Sequence, residues 1–226
     1  MWAVIKKEFK SYFLSPVGYV FIGLFLLMFS IFFYTDVVEY GSTNFEYIFY
    51  SGATVLTFIV PILTMRLFAE ERKTGTEQLL MTSPLSITSA VLAKFIAALF
   101  VIIITELCTL MYFGILCFFG IPDIATSLIT LLGFLLLAMS YISFGMLASS
   151  LTENQIIAGI ITIGFFVLSW FLPNFSGVFT SFSLINLFSK FVYGQIDIAD
   201  TVTFISFTVM CILLTIMVLQ RRKSVR

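Results

Sequence analysis

Charged and hydroxyl side chains cluster in one segment of this sequence, residues 66–94, which lies between two long apolar runs. Gly75 permits a sharp change of direction, and the hydroxyl of Thr76 can cap a short helix that ends before Pro84. A helix of residues 76–83 that carries apolar and acidic side chains together is typical of an element that fits a groove in a second protein. The residues predicted to make this contact are Glu70, Glu71, Arg72, Thr76, Glu77, Leu79, Leu80 and Ser83. The alternative is a helix that lies on the membrane surface and binds no partner.

Catalytic and metal-binding chemistry is poorly represented elsewhere in the sequence. Histidine, the commonest general base and metal ligand, does not occur. Cys108, Cys117 and Cys211 lie singly in apolar runs, which disfavours a metal site or a disulfide framework. Neither the phosphate-binding pattern GxxxxGK[ST] nor the nucleophile pattern GxSxG is found. We therefore predict that the chain is not an enzyme and has no catalytic residue, no metal and no cofactor of its own.

Two residues with unusual chemistry lie inside the apolar runs. Glu106 would place a carboxyl group at membrane depth, where an acidic side chain is costly and is usually functional or paired. It could line a translocation path, or it could bond to a neighbouring helix. Pro61 removes one helix hydrogen bond and predicts a kink, which is either a hinge beside the charged segment or a static bend.

The elements that position these residues are predicted to be membrane-spanning helices. Of 226 residues, 60% are apolar and 11% are charged, whereas a soluble domain usually carries about 25% charged residues. Apolar runs of about 18 residues or more indicate membrane spans. We predict an all-α polytopic membrane protein, formed as a single domain over residues 1–226. Its six transmembrane helices are expected at residues 17–34, 49–67, 90–119, 128–149, 155–172 and 202–219.

The basic residues predict the orientation of these spans. With six spans, both termini, the charged segment and the turn at residues 150–154 share one side of the membrane. On the other side the only basic residue is Lys190. An excess of Lys and Arg marks the cytoplasmic side, so both termini are predicted to be cytoplasmic. The basic residues on that side are Lys6, Lys7, Lys10, Arg66, Arg72, Lys73, Lys94, Arg221, Arg222, Lys223 and Arg226.

Two further elements are predicted to associate with the membrane without crossing it. Residues 1–16 form an amphipathic helix with aromatic side chains at helical spacing, lysines on another face and a break at Pro16. This helix is expected in the inner-leaflet interface, although a simple extension of the first span is the alternative. Residues 173–200 are too apolar for a free loop and too broken for a span, so we predict a re-entrant outer segment between the fifth and sixth spans.

One long pattern within and before the charged segment points to a family. It consists of Pro61, Leu63, Thr64, Met65, Arg66, Phe68, Ala69, Glu70, Glu71, Gly75, Thr76, Leu79, Leu80, Ser83, Pro84, Leu85 and Lys94. This pattern resembles the coupling loop of ABC-2 type transporter permeases, with the closest likeness to gliding-motility-type and nitrous-oxide-reductase-maturation-type permeases. The N-terminal helix, the turn at residues 149–155 and the stretch 188–204 resemble the same family, so the likeness covers nearly the whole chain.

The resemblance implies the permease subunit of an ATP-driven transporter, and an exporter rather than an importer. Residues 68–89 would be the coupling loop that contacts a separate cytosolic ATP-binding subunit, which would hold the ATP and Mg. The other expected partners are a second permease copy or a homologous permease, together with the lipid bilayer, and no nucleic acid. A bacterial inner membrane is the expected location. The remaining alternative is an ATP-driven mechanical or assembly component of a gliding or maturation-type complex, without solute transport.

Overall fold

The computed structural model describes residues 2–77, 86–171 and 183–225 of the chain, and these ranges are helical with no strand. A π-helical segment, Tyr34–Glu39, prolongs the second helix. The α-helices in chain order are α1 (Trp2–Leu14), α2 (Pro16–Phe33), α3 (Phe45–Thr64), α4 (Ala69–Lys73), α5 (Ile87–Phe119), α6 (Ile124–Leu151), α7 (Gln155–Phe171), α8 (Leu184–Val192) and α9 (Ile198–Val225).

The predicted all-α polytopic fold is confirmed. Within the described ranges, five helical stretches are long and apolar enough to cross a membrane, namely Pro16–Glu39, Phe45–Lys73, Ile87–Phe118, Ile124–Leu151 and Ile198–Lys223. The predicted span at residues 155–172 corresponds to α7, an apolar helix of 17 residues that ends where the described range ends. At 33 residues, α5 is longer than a bilayer core requires, as expected for the third span.

Helix α6 lies at the centre of the bundle and packs against α3, α5, α7, α8 and α9. One of its faces, formed by Tyr141, Gly145 and Ser149 at four-residue spacing, runs along α3. Thr57 of α3 donates a hydrogen bond to the Tyr141 hydroxyl at 3.3 Å. Further along, the absence of a side chain at Gly145 lets the helices approach each other closely beside Thr64.

We expect Gly145→Ala to destabilise the bundle by about 1–3 kcal/mol, the usual cost of overpacking. The added methyl group would lie 2.2 Å from Oγ1 of Thr64 and 2.8 Å from its Cβ, and Thr64 is fully buried. Thermal unfolding followed by intrinsic fluorescence would measure the effect. Gly114→Ala in α5 is the matched control, because no described atom outside the adjoining turns of its own helix lies within 4 Å of the added group. Equal stability of the two variants would contradict a tight contact between α3 and α6.

Helix α1 is a separate element and not an extension of α2. Ser15 has an extended backbone, with φ −91° and ψ 155°, and Pro16 begins α2. The aromatic ring of Phe9 packs against Phe100 of α5, and the buried hydroxyl of Tyr12 donates to the Leu63 carbonyl at 3.5 Å. Helix α1 is therefore fixed to the bundle by protein contacts, in addition to any contact with lipid.

The opposite end of the bundle is closed by α8, which lies within the predicted re-entrant segment, residues 173–200. Its apolar face is buried, with Leu184, Phe188 and Phe191 among the covered side chains, and it packs against α3 and α6. The ammonium group of Lys190 lies 2.8 Å from Oδ2 of Asp200 and so ties α8 to the first turn of α9. Residues 173–182 of the predicted segment lie outside the described residues.

Candidate functional site at the charged end of the bundle

The charged segment, α1, the turn between α6 and α7 and the last turns of α9 meet at one end of the bundle, which we call the charged end. Four contacts define it, and each joins α4 or its flanking residues to a different part of the chain. They are the ion pairs Lys94–Glu71, Arg72–Glu153 and Arg222–Glu77, and the hydrogen bonds made by Ser149.

Lys94 is the centre of the charged end. Its side chain is 2% exposed, although it lies only two turns into α5. Its Nζ lies 2.6 Å from Oε1 of Glu71 and 3.3 Å from Oε2 of Glu8, and 5.3 Å from the centre of the Phe68 ring. A buried charge must be paired to be tolerated, and here one ammonium group joins α1, α4 and α5.

Ser149 stabilises the backbone at the break between α3 and α4. Its buried hydroxyl accepts hydrogen bonds from the backbone N–H groups of Phe68 and Ala69, both at 3.1 Å, and donates one to the Met65 carbonyl at 2.9 Å. Phe68 makes no side-chain cap for α4, so the cap comes from α6 instead. One hydroxyl group therefore satisfies three backbone groups that the helix break leaves without partners.

Two longer-range ion pairs complete the charged end. Arg72 binds Glu153 of the α6–α7 turn at 2.8 Å, and Arg222 near the end of α9 binds the buried Glu77 at 3.6 Å. Gly75, between the two pairs, has a φ of +75°, so the sharp turn predicted there is confirmed. The Thr76 hydroxyl donates back to the Glu71 carbonyl at 3.3 Å.

The structure separates the residues predicted to contact a partner into two groups. Glu70 and Thr76 lie at the surface. The Glu70 side chain is 41% exposed and, among the described residues, pairs only with the nearby Arg66, and Thr76 is exposed. Glu71 and Glu77 are turned into the protein, and Arg72 is held by the α6–α7 turn. Leu79, Leu80 and Ser83 lie outside the described residues, as does most of the helix predicted at residues 76–83.

Pro61 and Glu106 lie away from this cluster. Pro61 is buried inside α3, three residues before the helix ends, so a bend there would sit next to the charged segment. Glu106 lies in the middle of α5 and is partly exposed. Among the described residues its carboxylate has no hydrogen bond or ion pair, while Thr109 bonds only its backbone carbonyl. The bonding of Glu106 to a neighbouring helix therefore gains no support within this part of the chain.

Several members of the charged end were not predicted from the sequence to take part in it, namely Glu8, Lys94, Ser149, Glu153 and Arg222. Lys94 appeared in the family pattern and among the basic residues of the predicted cytoplasmic side, but no buried contact was predicted for it. A lysine near the start of a long apolar helix is itself a signal that a partner is needed. Glu8 stands among lysines in a helix predicted to face lipid headgroups, so nothing in the local sequence indicated an inward contact. Nothing in the sequence indicated that the Ser149 hydroxyl would cap another helix, because serine is common in membrane helices.

Comparison with known proteins agrees with the pattern found in the charged segment. Residues 33–219 match the family model described as ABC-2 family transporter protein. The matched range contains all of α3 to α8, and with them Glu71, Lys94 and Ser149 of the charged end. A search of curated proteins gives no match to the chain.

Proposed function

The chain belongs to the ABC-2 family of transporter proteins, and we propose that it is the permease subunit through which a separate ATP-binding subunit drives export. It is a membrane permease component of an ABC transporter. In the proposal, ATP and Mg are held by the partner subunit, and this chain hydrolyses nothing itself. Two copies, or one copy and a homologous permease, would form the path across a bacterial inner membrane.

The connectivity of α4 is the observation that supports this proposal. A force applied to the segment 66–77 would act at once on α1 and α5 through Lys94, on α6 through Ser149, and on α9 through Arg222. Packed and ion-paired elements move together, because neither a buried charge nor a buried N–H group tolerates separation from its partner. A small element tied to four others in this way suits the transmission of movement.

The distribution of charge supports the orientation proposed for this end. The described lysines and arginines other than Lys190 lie at or near it, and an excess of basic residues marks the cytoplasmic side. A soluble ATP-binding subunit would then meet the surface that includes Glu70 and Thr76. The inward pairs of Glu71 and Glu77 would carry the movement onward, and the hinge proposed at Pro61 would allow α3 to follow it.

A charge reversal at the exposed acid tests the contact. We expect Glu70→Lys to weaken binding of the co-expressed ATP-binding subunit by about tenfold, the size typical of reversing one interface charge. Binding would be measured by co-purification and by titration of the two purified subunits. Unlike a reversal at Glu71, this substitution leaves the pair with Lys94 intact.

Glu39→Lys provides the matched control, since it makes the same charge change on an exposed side chain at the opposite end of the bundle. It should bind the partner normally. Unchanged binding by Glu70→Lys, or equal loss by both variants, would remove Glu70 from the proposed contact. ATP hydrolysis should appear in the complex and not in this chain alone, and hydrolysis by the isolated chain would overturn the proposed division of labour.

A further inference from the structure

A polar cavity of about 260 Å³ lies between α1 and the charged segment. Helix α1 contributes Lys7, Ser11 and Ser15, and the opposite wall includes Arg66 and Glu70. At about 30 Å³ for each water molecule, the cavity has room for several waters or for a small charged group. Glu8, Glu71 and Lys94 also line it, so it adjoins the buried ion pairs without being filled by them.

The charges of the wall favour a ligand that carries both signs. Three cationic and three acidic side chains line the cavity, and a lone anion or a lone cation would meet as much repulsion as attraction. Oε2 of Glu71 is buried and has no hydrogen-bond partner among the described residues, whereas the other oxygen, Oε1, accepts from Lys94. A buried carboxylate oxygen without a donor is costly, and an N–H donor from a ligand would remove that cost.

The other side of α1 shows where a negative group would lie. A second, more open groove on this helix is lined by Lys6, Lys7, Lys10, Ser11 and Ser15, with no acidic residue. Lys7, Ser11 and Ser15 border both spaces. A phosphate next to these three side chains would have an ammonium group and hydroxyl donors, while the cavity behind them holds the carboxylates.

The position of α1 makes a membrane lipid the source of such a ligand. Trp2 and Leu14, near the two ends of α1, and Tyr19 just after it are large apolar side chains, 73%, 85% and 61% exposed. Exposed apolar side chains beside lysines are typical of a helix at the level of the lipid headgroups. We propose that the cavity binds a phosphoethanolamine group, with its phosphate at Lys7, Ser11 and Ser15 and its ammonium group donating to Glu71.

The test compares lipids in nanodiscs that contain the purified chain without its ATP-binding subunit, so the result does not depend on the proposed function. Phosphatidylethanolamine should bind about tenfold more tightly than phosphatidylcholine, whose methylated nitrogen has no N–H to donate. Retention of lipid in native mass spectrometry and the thermal unfolding midpoint would measure this preference. Equal retention of the two lipids, or stronger retention of phosphatidylglycerol, would overturn the proposal.

Variants on α1 separate the cavity from general attraction to the helix. Lys7→Glu and Ser11→Trp change side chains that line the cavity and should abolish the preference for phosphatidylethanolamine. Lys73→Glu makes the same charge change at an exposed lysine of the charged end that lines neither space, and it should preserve the preference. Loss of the preference in all three variants, or in none, would overturn the assignment to this cavity.

Soluble O-phosphoethanolamine identifies the source of the ligand. Competition between this compound and the lipid would support the site and show that the headgroup chemistry alone is recognised. Selective binding of the lipid without such competition would support the site as one that requires the acyl chains as well.

Discussion

Replacing Lys94 with methionine is expected to destabilise the protein by about 3–5 kcal/mol, the usual cost of removing one partner from a buried ion pair. The Lys94 ammonium group is the only described cation within bonding distance of Glu71, and it also pairs with Glu8. Without it, the Glu71 carboxylate would be left partly buried with no counter-charge. For a chain of this size the thermal unfolding midpoint should fall by roughly 10 °C.

Two further variants show whether the loss comes from charge or from packing. Lys73→Met removes an exposed lysine from the same end of the bundle and should change stability little. The triple variant Glu8→Gln, Glu71→Gln and Lys94→Met removes all three charges and should recover most of the lost stability, because no buried charge is then left alone. A Lys94→Met variant as stable as Lys73→Met would contradict the buried position of Lys94.

The triple variant also tests the proposed transmission of movement. If the ion pairs link α4 to α1 and α5, a chain that is stable without them should bind the ATP-binding subunit but respond weakly to it. ATP-driven transport, or stimulation of ATP hydrolysis by the permease, should therefore stay low when stability has returned. Full recovery of both properties would show that these ion pairs only stabilise the fold.

Replacing Ser149 with alanine is expected to cost on the order of 3 kcal/mol. The change leaves the buried N–H groups of Phe68 and Ala69, and the part-buried carbonyl of Met65, without their shared partner. Each unsatisfied buried group costs about 1–3 kcal/mol, and relaxation of the short α4 would offset part of the sum. Thermal unfolding would measure the loss, and hydrogen exchange at Phe68 and Ala69 would locate it.

Ser150→Ala is a close control for this experiment. Ser150 is equally buried and stands next in the chain, but among the described residues its hydroxyl bonds only the Leu147 carbonyl of its own helix. We expect a much smaller effect on stability and no change in exchange at α4. Equal losses from the two substitutions would mean that the hydroxyl of Ser149 does not hold α4 in place.

Much of the fold followed from patterns that are local in the sequence. Long apolar runs predicted the spans, because a helix must satisfy its own backbone and offer an apolar surface to lipid. Pro16 predicted the break between α1 and α2, and Gly75 predicted the turn after α4, since each residue restricts or permits particular backbone angles. The mixed character of residues 173–200 likewise predicted an element that is neither a free loop nor a span. Helix α8, which lies within this stretch, has nine residues and is too short to cross a membrane.

Such local patterns could not predict which charged side chains face a partner and which face the interior of the bundle. Glu70 and Glu71 are adjacent and chemically alike, and both were predicted to face a partner. A helix turns by about 100° at each residue, so only one of them can follow a given face, and the packing of α1 and α5 decides which. The partners of Lys94 and Ser149 are likewise distant in sequence, at separations of 86 and 81 residues for Glu8 and Phe68.

The sequence by itself determined that this protein is a helical membrane protein with a charged segment between two spans, and its pattern indicated the family. The tertiary structure decided which charges in that segment are available to a partner and which hold the bundle together. Apolar periodicity acts over neighbouring residues and can be read along the chain. The pairing of buried charges depends on which helices pack side by side. The two ion pairs of Lys94, with Glu8 and with Glu71, form only when α1, α4 and α5 have packed together.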